Sequence, residues 1–498
     1  YIIDCKTHNE EQRTKLMKLN NYEFKSEPYQ HQLDTLKSSA HRNLFALFLE
    51  MGLGKSKILL DNAGMLFEEG KISGLLIISP KGNLSNWDVH EINKHLPERI
   101  ERNVVVWQPN HTQKWAYEFE KMVKDDSDGV LNIFLVNVEA FATVKACKFV
   151  EEFLVTHDAM MAIDESTTIK NPKAKRTKHL IKLAPLADYR RILTGFPITK
   201  APLDLYSQCY FLSPNLLGFS SFYAFQARYA ITHNKHMGRH SFQQIVGFQK
   251  LEELQESIKD FSIRKVKEEC LDLPPKVYTR RLVELTDEQK KAYGTMKREA
   301  LMVLNDELFS TMNMLTQLMR LQQVVAGSLR NEEGETIVLK NNRVQAVLDL
   351  LEETSGKVVI FAVFRTDIEE LEKAIANKFG TGAVASYYGK TPQDERQKII
   401  DKFQDPESEL RYFVSNPQTG GRGITLTGAS TMIFYSNSYD LELRVQAEDR
   451  IHRIGQEHSC TYVDLVSEGT VDEKILKNLL SKVKISNEVL GEVRNWFE

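Results

Sequence analysis

The chain has 498 residues, of which 42% are hydrophobic and 27% are charged, and its formal net charge is −3. This composition excludes a wholly disordered chain, and the length predicts two or three domains rather than one. No apolar run approaches the ~20 residues that a bilayer-spanning helix needs, and the first residues lack the basic start and apolar core of a secretory signal.

The first apolar run, LFALFL at 44–49, leads into the glycine-rich stretch EMGLGKS at 50–56. A glycine-rich turn between a strand and a helix exposes backbone N–H groups to phosphate, and the helix N-terminus adds a favourable dipole. Lys55 would then reach the β- and γ-phosphates of a nucleotide, and the Ser56 hydroxyl would bind Mg²⁺. The long form of this motif has glycine where Leu49 stands, so the stretch matches the shortened form GxGK[ST]; the alternative is a helix-start loop with chance glycines.

Four apolar runs after this loop predict buried strands, because each is short, rich in Ile, Val, Leu or Met, and ends in turn or polar residues. They are GLLIISP at 74–80, LNIFLVNVEA at 131–140, AMMAIDE at 159–165 and RRILTGFP at 190–197. Helix-like amphipathic stretches separate them, which is the β–α–β pattern of a parallel sheet.

The third of these runs ends in two acidic residues, Asp164 and Glu165. Carboxylates at the end of an apolar strand are costly unless they meet cations or a metal ion. We expect Asp164 to hold Mg²⁺ through water, and Glu165 to orient and polarise an attacking water as a general base. The alternative is a strand that ends in solvent, which is common for one acid and less so for two.

Two further clusters of polar residues have a simpler interpretation on their own. The run KNPKAKRTKHLIK at 170–182 contains six Lys or Arg and no acid, and charge alone favours a solvated helix face for it. The group His233, His236 and His240 has no Cys or carboxylate beside it, and we interpret it as a solvated loop rather than a metal site. Five scattered cysteines predict a reducing compartment without a disulfide framework.

The second half of the chain repeats the strand–helix pattern. The stretch from about 202 to 261 is helical and aromatic in pattern, and LDLPP at 271–275 then predicts a boundary, because two prolines end regular structure. Long helical patterns follow at about 284–330. The second series of predicted strands contains KVVIFAVF at 357–364, ELRYFVSN at 409–416, STMIFYSN at 430–437 and CTYVDLVSEGT at 460–470.

The sequence therefore predicts an α/β protein with two parallel-sheet domains in tandem. We place the first at 1–272, with a helical protrusion at about 202–261. We place the second at 273–498, with a helical segment at its start.

The segment VQAEDRIHRIGQ at 445–456 places Arg450 and Arg453 three residues apart on one face of a predicted helix, with Gln446 one turn earlier. Two cations at this spacing repel each other by about a few tenths of a kcal/mol, so the arrangement requires an anion. A γ-phosphate bound by the first domain would supply it, and arginines in such a position stabilise transition-state charge, worth roughly 10³–10⁵ in rate. Because these arginines lie on the second domain, hydrolysis would depend on closure of a cleft.

In their order along the chain, from about Tyr29 to Glu473, these segments resemble the Swi/Snf-type DNA translocases of helicase superfamily two. PYQHQ at 28–32 resembles the adenine-reading Q segment, with Gln32 as the base contact. SPKGNLSNW at 79–87 resembles a strand-end segment that contacts DNA. IDESTTIKNPKAKRTK at 163–178 resembles the acidic motif and its DNA-contacting basic extension, which favours a DNA role for the basic run.

The remaining motifs of the resemblance lie further along the chain. They are LTGFPITKAPLDLYS at 193–207 for the coupling motif, RKVKEECLDLPPK at 264–276 for the linker, and VSNPQTGGRGITLTGAST at 414–431 and QAEDRIHRIGQ at 446–456 for the last two motifs. Two departures from the family pattern stand out. Ser166 and Thr167 follow the acid pair, and Phe196 replaces the usual threonine, so the relay from nucleotide to DNA is expected to differ while hydrolysis survives.

The resemblance implies two RecA-like lobes, ATP and Mg²⁺ as cofactors, and four groups of site residues. The catalytic group is Lys55, Glu165, Arg450, Arg453 and Gln446. The nucleotide group is Gln32, Gly52, Gly54, Lys55, Ser56, Asp164 and Gly423, with Ser56 and Asp164 as metal ligands. The nucleic-acid group is Lys81, Asn83, Trp87, Lys170, Asn171, Lys173, Lys175, Arg176, Thr419 and Arg422. The coupling residues are Thr194 and Gly195.

The compact form resembles bacterial or viral members and the fork-remodelling branch of the family. It implies a translocase on double-stranded, forked or branched DNA, without a membrane, in a bacterial or virus-infected cytoplasm, or in a nucleus if the host is eukaryotic. Three alternatives stay open: a strand-separating DNA or RNA helicase, an ATP-switched nucleic-acid clamp or scaffold, and a remodeller that strips a protein cargo from DNA. The HRIGQ and LTGxP features favour the duplex motor over the helicase, and intact Glu165 with both arginines disfavours the clamp.

Overall fold

The computed structural model describes residues 18–19, 21–124, 129–237, 240–305, 311–330, 335–421 and 424–490. These residues form two units. The first contains the chain as far as Ile231 together with Gly247–Leu271, and the second contains Thr232–Val246 together with Asp272–Asn487. Over the described part of the chain, every helix is too short or too polar to cross a membrane.

The chain up to the linker alternates strands and helices. Its strands are β1 (Lys18–Leu19), β2 (Tyr22–Glu23), β3 (Leu44–Leu49), β4 (Gly74–Ser79), β5 (Glu101–Val106), β6 (Val130–Asn137), β7 (Ala159–Asp164), β8 (Tyr189–Leu193), β9 (Ala230–Met237), β10 (His240–Phe248) and β11 (Ser262–Lys265). Its helices are α1 (Gln30–Ser39), α2 (Lys55–Glu68), α3 (Leu84–Asn86), α4 (Ile92–His95), α5 (Gln113–Lys124), α6 (Val144–Thr156), α7 (Lys175–Leu183), α8 (Leu205–Leu212), α9 (Phe222–Tyr229), α10 (Leu251–Lys259) and α11 (Lys267–Cys270).

Seven of these strands form one parallel sheet in the order β11-β3-β8-β7-β4-β6-β5. Alternate residues of β3 enter two different hydrophobic cores, with Phe45 and Leu47 in one and Ala46 and Phe48 in the other. Both faces of the sheet are therefore covered, which explains why its strands β3, β4 and β7 are largely apolar rather than alternating. The carboxyl ends of β3, β4, β7 and β8 meet at one edge of this sheet, where ligands bind in open parallel sheets.

The chain after the linker forms a second strand–helix series. Its strands are β12 (Lys276–Leu282), β13 (Ser328–Arg330), β14 (Thr336–Val338), β15 (Lys357–Phe361), β16 (Val384–Tyr387), β17 (Tyr412–Ser415), β18 (Ala429–Phe434) and β19 (Cys460–Val466). Its helices are α12 (Asp287–Asn305), α13 (Thr311–Ala326), α14 (Arg343–Glu353), α15 (Arg365–Phe379), α16 (Gln393–Gln404), α17 (Pro417–Gly420), α18 (Leu441–Glu448) and α19 (Val471–Leu490).

The second sheet is also parallel, with six strands in the order β12-β19-β18-β15-β17-β16. Its central strand β15 again feeds two cores, with Val358 and Ile360 in one and Val359 and Phe361 in the other. The prediction of two parallel-sheet α/β lobes is thus confirmed, and the nine predicted strands of the two sheets, β3 included, are all present.

Four strands of the two sheets escaped the sequence analysis, and all four are edge strands. They are β5 and β11 in the first sheet and β12 and β16 in the second, with the sequences ERNVVV, SIRK, KVYTRRL and VASY. An edge strand has a neighbour on one side only and tolerates charged side chains. The apolar signal that identified the central strands is therefore diluted at the edges.

The stretch predicted as a helical protrusion, about 202–261, contains α8, α9 and α10 but also the hairpin of β9 and β10. The helical prediction was therefore wrong for this part. Its β-branched and apolar residues Ile231, Ile245 and Val246 are exposed, so these described side chains do not show the alternation of buried apolar and exposed polar residues that identifies a strand. The three histidines lie on this hairpin; His233 is exposed, and the side chains of His236 and His240 are outside the described ones.

Candidate nucleotide and nucleic-acid site

The glycine-rich loop joins β3 to α2, and its shape depends on two glycines. Gly52 has a φ of 85° and Gly54 a φ of 81°, both in the left-handed region that side chains disfavour. A Cβ at Gly54 would also lie 2.2 Å from Gln32 Nε2. Both predicted phosphate-loop glycines are therefore required by the loop itself, and α2 begins directly after it at Lys55.

The predicted adenine-reading glutamine lies against this loop. Gln32 is buried on α1, where its Oε1 accepts a hydrogen bond from Tyr29 N at 3.0 Å and its Nε2 donates to Leu53 O at 3.2 Å. His31 Nε2 lies 2.9 Å from the same carbonyl, and burial lowers the pKa of His31, which favours its neutral form. The Q segment thus stabilises the glycine-rich loop through its contacts with Leu53 O.

Lys55 lies in the first turn of α2 and folds back over the end of β3. Its Nζ donates to Leu49 O at 2.9 Å and to Glu50 O at 3.5 Å. The buried Glu50 carboxylate accepts from Lys267 N at 2.7 Å, which ties the loop to the start of the linker helix α11. Ser56 follows Lys55 in the same turn and is partly exposed.

Asp164 ends β7, and two side chains orient its carboxylate. Its Oδ2 accepts hydrogen bonds from Ser79 Oγ and from Trp87 Nε1, each at 3.0 Å. Both donors come from β4 and the helical turns after it, so neighbouring parallel strands meet here. Hydrogen bonds to a charged carboxylate are about twice as strong as neutral ones, so they hold the Asp164 side chain in one direction.

The assignment of Trp87 to the nucleic-acid surface was therefore wrong. Its side chain is only 1% exposed and belongs to the core that also contains α2. The helical turns at 84–95 direct the indole inward, where a buried Trp N–H needs an acceptor and finds Asp164. The same turns leave Lys81 exposed and Asn83 half-buried, with Lys81 N donating to Glu139 Oε2 at 3.3 Å.

Glu165 adopts a left-handed backbone conformation, with φ at 51°. For a residue other than glycine this strain costs about 1–3 kcal/mol, and such strain concentrates at functional sites. Thr194 Oγ1, at the end of β8, lies 3.4 Å from Glu165 Oε2 and accepts from Phe196 N at 3.2 Å. A Cβ at Gly195 would lie 3.1 Å from Met51 Cγ, so both residues of the predicted coupling motif lie beside the acid pair or the glycine-rich loop.

The departure at Ser166 creates a connection that the sequence analysis missed. Ser166 Oγ donates to Gln208 Oε1 at 2.7 Å, and Gln208 Nε2 donates to Pro197 O and Asp204 O, both at 2.8 Å. All of these groups are buried or nearly so. The sequence carries no signal for this connection, because the burial that obliges the Gln208 amide to find partners appears only in the structure.

Within the basic run at 170–182, some side chains are exposed and others contact the rest of the fold. Helix α7 buries Thr177, Leu180 and Leu183, and this directs Lys173 and Lys175 to the surface. Three of the predicted contacts are partly used within the fold: Lys170 Nζ donates to Thr199 Oγ1, Asn171 Oδ1 accepts from Lys173 N at 2.9 Å, and Arg176 is half-buried. The exposed lysines are the best placed to contact phosphate.

The predicted arrangement of the two arginines in the second unit was wrong. Helix α18 ends at Glu448, so Arg450 and Arg453 lie in the turns after it rather than on one helical face. Arg450 is 3% exposed, and it donates to Gln446 O at 2.9 Å and to Ile424 O at 3.0 Å. Arg453 is partly exposed and donates to Thr425 Oγ1 at 2.9 Å.

Gln446 is buried on α18, and its Nε2 donates to Glu442 Oε1 at 3.2 Å. Thr419 N, in the short helix α17, donates to Asn416 Oδ1 at 3.0 Å. Arg422 and Gly423, assigned to DNA and to nucleotide respectively, lie outside the described residues.

A buried ionic network, which the sequence analysis missed, anchors α18. Arg444 contacts the carboxylates of Glu448 and Asp464, and Tyr278 OH donates to Glu448 Oε2 at 2.8 Å. Burial alone would lower the pKa of Arg444, but the two carboxylates raise it. Since a buried pair that loses one partner leaves an uncompensated charge, this network holds the segment that carries Arg453 in place.

Comparisons with known proteins identify the family of the chain. The family model described as SNF2-related domain matches residues 29–328, and the helicase conserved C-terminal domain matches residues 340–455. The chain is 29% identical over 446 residues to the DNA annealing helicase and endonuclease ZRANB3 of Bos taurus. This alignment covers 89% of the chain and 38% of that protein. The chain is also 26% identical over 486 residues to the ISWI chromatin-remodeling complex ATPase ISW1 of Saccharomyces cerevisiae. This alignment covers 94% of the chain and 41% of that protein.

Among solved structures, the Sulfolobus solfataricus SWI2/SNF2 ATPase core in complex with dsDNA is 27% identical, with a TM-score of 0.43 and coverage of 95% of this chain and 96% of that one. The chain spans about two fifths of the length of the two curated relatives. The SNF2-related family model alone matches more than half of the chain. The chain therefore belongs to the SNF2 family of helicase-like ATPases.

Proposed function

We propose that the chain is an ATP-dependent translocase on double-stranded DNA, which couples ATP hydrolysis to movement along DNA or to its remodelling. The observation that carries the proposal is the hydrogen bond between Thr194 and Glu165. It joins the predicted water-activating carboxylate to the motif predicted to couple hydrolysis to DNA, beside the glycine-rich loop.

The described residues fit ATP with Mg²⁺. The left-handed backbone at Gly52 and Gly54 turns the loop into the N-terminus of α2, where backbone N–H groups can bind phosphate. Lys55 and Ser56 lie at the start of α2, and the oriented Asp164 carboxylate supplies the hard oxygen ligand that Mg²⁺ prefers. When bound, ATP with Mg²⁺ supplies the γ-phosphoryl group that water attacks.

In the proposed mechanism, Glu165 accepts the proton of the attacking water while Thr194 holds the orientation of its carboxylate. We assign transition-state stabilisation to Arg453 and a structural role to Arg450. Gln446 acts as a positioning residue through its contact with Arg450. The lobes proposed at 1–272 and 273–498 would close on ATP and open after hydrolysis, and alternate grip and release would move the protein along DNA.

Trp87→Phe should raise the Mg²⁺ concentration needed for half-maximal ATPase activity by about 10–100-fold, because side chains that donate a hydrogen bond to a metal-binding carboxylate tune metal affinity to this extent. Phe fills much of the same volume but cannot donate to Asp164. The measurement is steady-state ATPase rate against Mg²⁺ concentration. Trp115→Phe is the matched control, since Trp115 is also buried in the first unit but donates to Val106 O at 2.7 Å. Equal Mg²⁺ dependence of the two variants would exclude the positioning role.

Lys173→Ala combined with Lys175→Ala should weaken binding to duplex DNA and make the plot of log K against log salt shallower by about 1.8, if each lysine neutralises one phosphate. Fluorescence anisotropy of labelled duplex at several salt concentrations measures both effects. Lys114→Ala with Lys121→Ala on α5 is the control, because these lysines are equally exposed outside the basic run. An unchanged slope would return the run to a solvated helix face.

The proposal is tested by the ATPase rate without nucleic acid and with single-stranded DNA, duplex DNA, forked DNA and RNA, each at two salt concentrations. Glu165→Gln serves as the blank. Strong stimulation by duplex or forked DNA supports the double-strand motor. Stimulation only by single strands or RNA favours the strand-separating helicase, and binding without turnover favours the clamp. An active enzyme that no nucleic acid stimulates points to a protein cargo. The cellular setting, bacterial, viral or nuclear, stays a prediction.

A further inference from the structure

Tyr223 is a large aromatic side chain at the surface, beside the basic run of the first unit. Its side chain is 67% exposed, although it lies on the firmly anchored helix α9. Phe225 and Tyr229 of this helix are buried, Phe222 packs edge-on against Tyr206, and Ser221 Oγ caps the helix by accepting from Ala224 N at 3.2 Å. The ring of Tyr223 is therefore held outward by a fixed backbone.

The ring has a cation at its face. Lys173 Nζ lies 5.8 Å from the centroid of Tyr223, within the distance of a cation–π contact. Lys173 is also one of the two exposed lysines that we propose to contact DNA phosphate. A phosphate at Lys173 would therefore bring its own nucleotide beside the Tyr223 ring.

The combination limits what the ring can contact. Bases in an intact duplex are stacked inside the helix, so a ring beside the phosphate backbone cannot stack on them. Unpaired bases expose their faces, and proteins that bind single strands combine cationic grooves with aromatic rings on which bases stack. A single exposed tyrosine is common on protein surfaces and indicates nothing by itself. Here the Tyr223 ring lies on an anchored helix next to Lys173, which we propose to bind phosphate, and this combination indicates a nucleic-acid ligand.

We propose that Tyr223 stacks on an unpaired base where single-stranded and double-stranded DNA meet, while Lys173 holds the adjacent phosphate. The inference rests on the proposed function and names its substrate class: forked or gapped DNA rather than uninterrupted duplex. Tyr223 is then a specificity residue, because it adds affinity for the junction without a role in ATP hydrolysis.

The test compares the wild-type chain with Tyr223→Ala, Tyr223→Phe and Tyr117→Ala. Tyr117 is the matched control, since it is 69% exposed on α5 of the same unit. Anisotropy measures affinity for a fork and for a duplex of equal length, and a fluorescent adenine analogue at the first unpaired position reports stacking by quenching. Tyr223→Ala should lose about tenfold in fork affinity, the size of one base–aromatic stack, and should change duplex affinity little. It should also abolish the quenching, whereas Tyr223→Phe and Tyr117→Ala keep both.

Equal losses on fork and duplex, unchanged fork affinity, quenching that survives in Tyr223→Ala, or a wild-type chain without fork preference would each overturn the inference. Duplex-stimulated ATPase activity of the wild type separates this outcome from failure of the proposed function. If duplex DNA stimulates turnover and Tyr223→Ala binds forks normally, the proposed junction contact is refuted and the translocase proposal stands. If no DNA stimulates turnover, the translocase proposal itself fails.

Discussion

Glu165→Gln should reduce ATP turnover by roughly 10²–10⁴-fold, the contribution of a general base, while ATP and DNA binding stay close to wild type. Glutamine has nearly the same shape as glutamate, and its amide oxygen can still accept the hydrogen bond from Thr194 that the carboxylate accepts at 3.4 Å. It cannot take a proton from water. The backbone strain at this position, where φ is 51°, is the same for both side chains, so folding should be unaffected.

Single-turnover ATPase assays measure the loss of turnover, and equilibrium binding of a fluorescent ATP analogue measures the affinity for ATP. Glu151→Gln on α6 is the control, because it makes the same chemical change at an exposed site of the same unit. Robust hydrolysis by Glu165→Gln would remove this residue from the general-base role. Loss of ATP binding together with turnover would instead indicate that the charge holds the nucleotide or its metal ion.

Arg453→Ala should lower the maximal ATPase rate by about 10³-fold or more, while the affinity for ATP and the melting temperature change little. Arg453 is partly exposed, and its contacts include a hydrogen bond to Thr425 Oγ1. A side chain that acts only on transition-state charge affects turnover rather than substrate binding.

Arg450→Ala provides the contrast within the same segment. Arg450 is buried and donates to Gln446 O and Ile424 O, so its removal leaves buried carbonyl groups without these donors. Each such group costs about 1–3 kcal/mol, and we expect a lower melting temperature of the chain. Near-normal turnover in Arg453→Ala would exclude its catalytic role. An Arg450→Ala variant that melts like wild type but does not hydrolyse ATP would reverse the two assignments.

The central strands and the acid pair could be read from the sequence because their signals are local. A strand buried on both faces is apolar over most of its length, as β4 is before Ser79 and β7 before Asp164, whatever packs against it. The left-handed glycines at Gly52 and Gly54 likewise reflect a backbone shape that the stretch EMGLGKS requires by itself. Edge strands and the β9–β10 hairpin lack such a local requirement, and for that reason the sequence did not predict them.

Side-chain roles at the site depended on residues that are distant along the chain. Trp87 resembled a DNA contact by its position in a motif, but its partner Asp164 lies 77 residues further on. Arg450 and Arg453 look equivalent in the sequence, but in the structure Arg450 is buried and donates to the carbonyl of Ile424, 26 residues earlier, whereas Arg453 is partly exposed. Tyr223 lies on α9 and Lys173 in the turn before α7, and neither sequence pattern alone suggests the other.

The sequence by itself thus determined the fold class and the family, and it predicts the chemistry of the nucleotide site, because these follow from apolar runs, glycine conformations and paired charges within short stretches. Only the tertiary structure decided which of the named polar side chains face solvent and which hold a neighbour in place. The physical reason is that burying a polar group requires a partner, and chain folding, not local spacing, brings that partner within hydrogen-bond distance.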